Sequence, residues 1–439
     1  MPFARTGPLR RELTTVLPKR AFTVRFWDGS ELPATSHDGG DDGVPATSPN
    51  RSGANGAGTN GSAGPVFTVR SPKAVAHVLR APGELGLGRA YVAGELEVDD
   101  LDKAIDLIDD FQAPRFDAAT RARVAIAALR ATGLTLPPRA PKGELRLKGR
   151  SHSKQRDAKA VRHHYDVSNE FFALFLDESM TYSCAIFSRG ASTLEEAQHA
   201  KLDLVCQKLA LREGERVLDV GCGWGAFVIH AAKNYGVEAV GITLSPPQAE
   251  LARRRIAEAG LSDKVEVRVV DYRDLHGERY DAIASIGMVE HVGENQIDVY
   301  AQKLAALLAP DGRLLNHGIA HLPQDLGYHG DFTQRYVFPD GDPLHLSRMQ
   351  LALERAGFVT EHVEGFAHDY HDTLSEWIRR LDENLVRAEQ LAGPERLRVW
   401  RLYLRSARNI FKTQFVGIYQ VLAKPATGKT TSRPIRGWP

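Results

Sequence analysis

Cysteine is scarce: Cys184, Cys206 and Cys222 are the only three in 439 residues. They show neither C-x-x-C spacing nor an even disulfide framework, which reads as a protein of the reducing cytosol. Long apolar runs are missing as well. None approaches the roughly 18 residues of a membrane span, and the opening M-P-F-A-R-T-G-P-L-R-R lacks the apolar core of a signal peptide. Membrane contact is therefore expected to be peripheral, on the inner face. Charge of one sign is lacking: the formal net charge of +1 argues against a general nucleic-acid binder. The length suggests two domains.

What is present centres on residues 215–248. Val217, Leu218 and Val220 form a short apolar run, as in a strand buried on both faces. It ends in Asp219 and the spaced glycines Gly221, Gly223 and Gly225, after which Ala226 to Ala232 have helical character. Such glycines let backbone N–H groups approach a ligand, and the adjacent carboxylate can accept from sugar hydroxyls or an amine. A dinucleotide enzyme would end its second strand in Asp or Glu. Here Val237 to Thr243 runs into Leu244 and Ser245, and the third strand, Lys264 to Val270, ends in Asp271 and Tyr272. Carboxylates after strands one and three fit S-adenosylmethionine better than NAD, with Asp271 reading the adenine amine and Tyr272 covering the ring. The expected fold is α/β, a Rossmann-like class I methyltransferase sheet.

Before this centre, Ala21 to Leu32 alternates around an Asp-Gly turn, a hairpin signal. Residues 35–64 hold eight glycines among Ser, Asn, Pro and Asp and cannot bury enough apolar surface to order themselves. Residues 21–112 read as a small α+β domain carrying this disordered insertion, after a tail at 1–20. Residues 113–162 read as a basic helical linker: Ala118 to Thr132 is an amphipathic helix with Val124, Ile126 and Leu129 as its apolar residues. Arg139 to Arg162 carries nine cations against Glu144 and Asp157, either a solvated linker or a patch for anionic headgroups. The catalytic domain spans 163–425, with a long loop or lid at His321 to Leu344, and 426–439 is a tail.

Open α/β sheets bind ligands at the carboxyl ends of their strands. Strand four runs into Gly287-Met288-Val289-Glu290-His291, and strand five carries His317, so two ionisable residues end adjacent central strands. The turn after strand four is not the Asn-Pro-Pro-aromatic of enzymes that methylate nucleobase amines. No Pro-Cys dipeptide occurs either, which weakens a base-carbon methylase. Glu, His and Cys are zinc-ligand types, yet they come singly from distant segments, so no metal is expected.

The segment H-Y-D-V-S-N-E-F-F-A-L-F-L-D-E-S-M-T-Y-S-C-A-I-F closely resembles the opening of the cyclopropane-fatty-acyl-phospholipid synthase and mycolic acid cyclopropane synthase family. So do V-L-D-V-G-C-G-W-G, G-I-T-L-S-x-x-Q, G-M-V-E-H-V, L-L-N-H-G-I and R-Y-V-F-P-D-G, in order from about His163 to Lys424. The run G-L-G-R-A-Y-V-A-G-E-L-E-V-D-D resembles the lipid-binding domain of the bacterial phospholipid enzymes, which the mycolate enzymes lack. The resemblance implies that a cis alkene attacks the sulfonium methyl of S-adenosylmethionine, and that bound bicarbonate deprotonates the resulting cation. The anion's holders would be Cys184, Glu290, His317, the backbone of Ile319, and Tyr403. Such an anion must be fixed in a dry pocket. His317 and Tyr403 can donate to it, while its own hydroxyl would have to donate to Glu290. For the cofactor the resemblance points to Tyr182, Ser183, Asp219, Gly221, Gly223, Thr243, Leu244, Ser245, Gln248, Asp271 and Tyr272. Ser245 and Gln248 also read as a capping box with Pro at the first helical position.

The implied partners are unsaturated phospholipids at the membrane surface, no nucleic acid, and a second copy of the chain. A methylene- or methyl-branched product is the alternative to ring closure. Arg162, where an acidic alternative base would be looked for, favours the ring.

Overall fold

The computed structural model describes residues 6–35, 64–110, 116–133, 138–147, 149–165, 167–322 and 331–426. The insertion expected at 35–64 lies, but for its two end residues, outside them. So do the tail from 427 and residues 323–330 of the expected lid, which otherwise contains the helix Asp331–Tyr336. The chain divides into two compact units, Met1–Lys142 and Gly143–Pro439.

In the first unit, strands β1 (Thr23–Arg25), β2 (Glu31–Leu32), β3 (Val66–Val69) and β4 (Leu96–Val98) form a sheet ordered β2-β1-β3-β4. The expected hairpin is β1–β2, turning at Gly29 with φ of 80°. Two boundaries differ from expectation. The supposed tail contains the helix Gly7–Val16, whose Leu9 is in the core and which Thr6 ties to Asp28. The helix Ala118–Thr132, expected in the linker, packs on that first helix and on Pro72–Arg80. Its buried face is Ala127, Ala128 and Ala131, whereas Ile126 and Leu129 are exposed. Small alanines permit the close helix approach that larger side chains would prevent. The basic patch is also partly spent on ion pairs: Arg146 meets Glu144, Lys154 meets Asp274 and Arg156 meets Asp340.

The second unit holds β5 (Arg216–Val220), β6 (Glu238–Thr243), β7 (Val265–Val269), β8 (Tyr280–Ile286), β9 (Leu308–His321), β10 (Phe358–Gly365) and β11 (Val416–Pro425). Their order is β10-β11-β9-β8-β5-β6-β7. β5 pairs in parallel with both β6 and β8, so the strand order reverses there, and β11 is antiparallel to its neighbours β9 and β10. That reversal opens the crevice where ligands bind in such sheets. The central strands are apolar because helices cover both faces. On one side, the helix Leu194–Lys208 starts from a Thr193/Glu196 capping box. A separate aromatic core joins Phe171, Phe172, Phe175, Trp377 and Trp400.

Candidate active site

β5 carries Asp219 one residue before its end and hands the chain to a turn in which Gly221, Gly223 and Gly225 all have positive φ. A Cβ on Gly221 would stand 3.1 Å from Met288 Cγ, so glycine lets the two strand ends approach. Two adjoining cavities share Gly221, Gly223, Gln248 and Gly287. One, of about 520 Å³, is lined by Tyr182, Ser183, Lys201 and Asp219. The other, of about 800 Å³, is walled by Leu244, Val270, Tyr272, Met288 and Val292 with Thr243 and Asp271. A polar chamber beside an apolar one suits a ligand with an amino-acid end and a nucleoside end.

In the polar chamber, Lys201 Nζ donates to Ser183 Oγ at 2.9 Å, and Gln198 Nε2 donates to the carbonyls of Thr181 and Ser183. Burial lowers Lys201 to about 8. Burial raises Asp219 to about 7, opposed by the Lys201 charge. Asp219 Oδ1 is buried without a partner, an acceptor waiting for a donor such as an ammonium.

The apolar chamber departs in two respects from expectation. Ser245 lies outside the residues lining either cavity; its Oγ accepts from the Gln248 N–H as a helix cap. Gln248 does line both cavities, and its Oε1 accepts from Thr243 Oγ1 at 2.9 Å. Asp271 lines the wall, but both its carboxylate oxygens accept from Arg273, at 2.8 and 2.6 Å. Tyr272 is buried with its ring edge-on to Tyr300 at 5.6 Å.

Beyond Gly287 the chain makes a short helical turn, Val289–His291, that half-buries Glu290 and shields its Oε2. Its carboxylate accepts from its own backbone and from the Ile319 N–H, while burial raises it to about 7. Glu290 Oε2 has no partner. A Cβ at Gly318 would come within 3.3 Å of that oxygen, so glycine lets the carboxylate reach β9. His317, fully buried in β9, has Nδ1 3.2 Å from Gln420 Nε2 and an unpartnered Nε2. Burial first, then Lys201 and Lys208, hold it well below the ordinary imidazole range.

Cys184 is buried, its Sγ near the carbonyls of Ala185 (3.1 Å) and Phe366 (3.7 Å). Burial pushes the thiol well above its usual range, so it is no nucleophilic thiolate. The Phe366 ring stacks on His317 at 6.3 Å, which links Cys184 to the histidine. Tyr403, on the helix Pro394–Lys412, contacts the rings of Phe338 (5.6 Å) and Trp400 (5.8 Å), and Phe338 lies 5.4 Å from His291. Thus Glu290 and Ile319 touch directly, and Cys184 and His317 share Phe366. Tyr403 joins them through the aromatic core, which also contains Cys184 and Ile319. Among the described residues no group of three or more His, Cys, Asp or Glu is placed to hold a metal ion.

Residues 152–421 match the family model described as mycolic acid cyclopropane synthetase. The chain belongs to that family. It is 38% identical, over 84% of its length and 89% of the relative's, to a probable fatty acid methyltransferase of Mycobacterium tuberculosis. It is 34% identical to the cyclopropane-fatty-acyl-phospholipid synthase of Escherichia coli K12, over 83% of this chain and 88% of that one. Among solved structures, mycolic acid cyclopropane synthase CmaA1 complexed with SAH and CTAB is similar, with a TM-score of 0.58 and 33% identity, covering 61% of this chain and 97% of that one. Family and fold together make it an S-adenosylmethionine-dependent class I methyltransferase.

Within this cyclopropane synthetase family member, several residues that line the two cavities or back the groups around them were missed by sequence reasoning. Gln198, Lys201 and Lys208 share the buried face of Leu194–Lys208, and their signal was polarity at positions the helical period turns inward. Gln420 is a glutamine within the apolar strand β11. Asp157 and Val161 line the apolar chamber from the helix Lys154–Tyr165, and Arg273 bonds both Asp271 and Asp157. Nothing local to Asp157 marks it, since its role depends on a partner 116 residues away.

Proposed function

We propose that the protein is a cyclopropane-fatty-acyl-phospholipid synthase that converts the cis double bond of unsaturated phospholipid acyl chains to a cyclopropane. The observation that carries this reading is the pair of unpartnered buried polar atoms, Glu290 Oε2 and His317 Nε2, at adjacent strand ends beside the cofactor crevice. S-adenosylmethionine, when bound, supplies an electrophilic methyl, and a bound bicarbonate supplies a base. The rest belongs to the chain. Asp219, the glycine turn and the Lys201–Ser183 pair would hold the amino-acid end; Thr243, Leu244, Gln248, Asp271 and Tyr272 would hold the nucleoside. His317 and Tyr403 can donate to an oxyanion. Glu290, raised to about 7, accepts a hydroxyl when ionised and donates when protonated. Phe171, Phe172, Phe175, Trp377 and Trp400 exclude the water that would quench a cation.

Match length favours phospholipid over mycolate. The alignment to the Escherichia coli enzyme spans 370 residues, more than the second unit contains, so it includes part of the first. A mycolate synthase is matched over 272. The first unit is accordingly proposed as the lipid-binding domain, working at the inner face of the membrane, and the resemblance adds a homodimer. A second reading, methylene or methyl branching, is favoured by the 38% identity to probable fatty acid methyltransferases.

Incubation with oleoyl phospholipid vesicles and methyl-labelled S-adenosylmethionine, followed by mass spectrometry of the fatty acids, separates the two. A cyclopropane product is expected; a methylene-branched one favours the second reading, and unlabelled lipid removes both. Glu290→Gln is expected to lower turnover by about 10²–10³-fold, the scale of losing one preorganised polar group, while cofactor affinity persists. Lost cofactor affinity would instead make Glu290 a cofactor residue.

A further inference from the structure

β9 and β11 run antiparallel with His317 directly opposite Gln420, and both side chains are fully buried. Gln420 is not free to choose which end of its amide it shows the imidazole. Lys208, buried on the helix Leu194–Lys208, places Nζ 2.6 Å from Gln420 Oε1 and 2.6 Å from Glu364 Oε2. An ammonium has only donors, so the atom it meets on Gln420 must be the amide oxygen. The amide NH₂ then faces His317 Nδ1, at 3.2 Å. Two N–H groups cannot share that contact, so Nδ1 accepts and the ring proton is on Nε2. Glu364, which also pairs with Arg189, balances the lysine charge. Phe366 stacks on the imidazole and takes the Lys208 ammonium 5.3 Å over its ring, which confines the assembly from the side.

We propose that Gln420, anchored by Lys208, is a positioning residue that fixes His317 as a neutral imidazole donating from Nε2. The inference rests on the reading of His317 as a donor to an oxyanion in the site, and it goes further. His317 is neither the base nor an imidazolium; it is a donor whose tautomer is dictated from the neighbouring strand. The charges that bear on it are consistent with this. Lys201 and Lys208 both oppose its protonation, Glu364 is already engaged by Lys208, and Glu290 faces the Gly318–Ile319 backbone.

The test uses full-length enzyme labelled with ¹⁵N-histidine, with His317→Asn identifying the His317 signals among 16 histidines. In the wild type, Nδ1 is expected to be unprotonated and Nε2 protonated, unchanged between about pH 6 and about pH 8.5. Gln420→Glu keeps the shape and the Lys208 pair but presents only acceptors, so the proton should move to Nδ1. Turnover on oleoyl vesicles should then fall by about 10²–10³-fold at about pH 8, the scale of losing one preorganised donor. It should recover in part as the pH falls and Nε2 is protonated too, while cofactor affinity stays within about twofold. A wild-type His317 carrying its proton on Nδ1 would overturn the proposal, as would Gln420→Glu with wild-type turnover and pH profile. If that variant does not fold, the wild-type spectrum alone decides. Wild-type enzyme that leaves lipid unlabelled counts against the functional reading, whereas the spectrum judges the relay independently.

Discussion

Asp219 pays a desolvation penalty that a cofactor ammonium, bound as proposed, would offset. Its carboxyl is buried, one oxygen is unpartnered, and its pKa is raised to about 7, chiefly by burial. A raised acid is most at ease protonated, so the folded state loses stability as the pH climbs from the ordinary carboxylate value of 3.8 to about 7. Asp219→Asn is therefore expected to stabilise cofactor-free protein above neutrality, by on the order of 2–4 kcal/mol for a shift of this size. The gain should shrink towards zero in acid while cofactor affinity is lost. Thermal melts at several pH values check it; a gain that does not depend on pH would contradict the cause given. Asp219, Glu290 and His317 could be picked out in the sequence because each lies in, or shortly follows, a strand whose apolar run announces it. Lys201, Lys208 and Gln420 were not, since a buried polar residue declares a role only through its partner. For Gln420 and His317 that partnership spans 103 residues and exists only once β9 and β11 are in register.

Two elements enclose the proposed cofactor crevice, and each makes a distinct demand. The glycine turn needs positive φ at Gly221, and a side chain there would press on Met288. Gly221→Ala is expected to cost about 1–2 kcal/mol in the left-handed backbone and to weaken cofactor binding, measurable by melts and by calorimetric titration. The helix Lys154–Tyr165 closes the apolar chamber and is fastened where Arg273 donates to Asp157 at 2.8 Å. Losing a charge-assisted bond of this kind costs about 1.5–3 kcal/mol. Asp157→Ala should accordingly raise the KM for S-adenosylmethionine about tenfold or more, with kcat at saturation unchanged; a fall in kcat alone would show that the helix serves the chemistry instead. The α/β alternation made most strands and helices of the second unit readable. The ends of the first unit were misread because Gly7–Val16 and Ala118–Thr132 bury mainly small or isolated apolar residues, so periodicity understates their packing.

The molecule as a whole carries separate cores. The first unit buries Leu9, Phe26, Leu32, Val69 and Leu96 together, and the three core clusters of the second are drawn entirely from Val167 to Ala423. Every site residue named above lies in the second unit, so the chemistry itself does not call for the first. No helix among the described residues is long and apolar enough to cross a membrane. On the proposed reading the protein meets acyl chains at the bilayer surface, and stable peripheral anchoring generally takes more than one weak signal. If the first unit supplies such a signal, the fragment 143–439 should bind S-adenosylmethionine like the full chain and turn over detergent-dispersed oleoyl phospholipid at a similar rate. On vesicles its turnover should fall by at least about tenfold, through KM rather than kcat, because what is lost is binding shared equally by ground and transition states. Parallel assays on micelles and vesicles, with sedimentation of the protein on the vesicles, read both quantities. Equal turnover of fragment and full chain on vesicles would remove the first unit from lipid recognition, and failure on micelles as well would assign it a part in assembling the site.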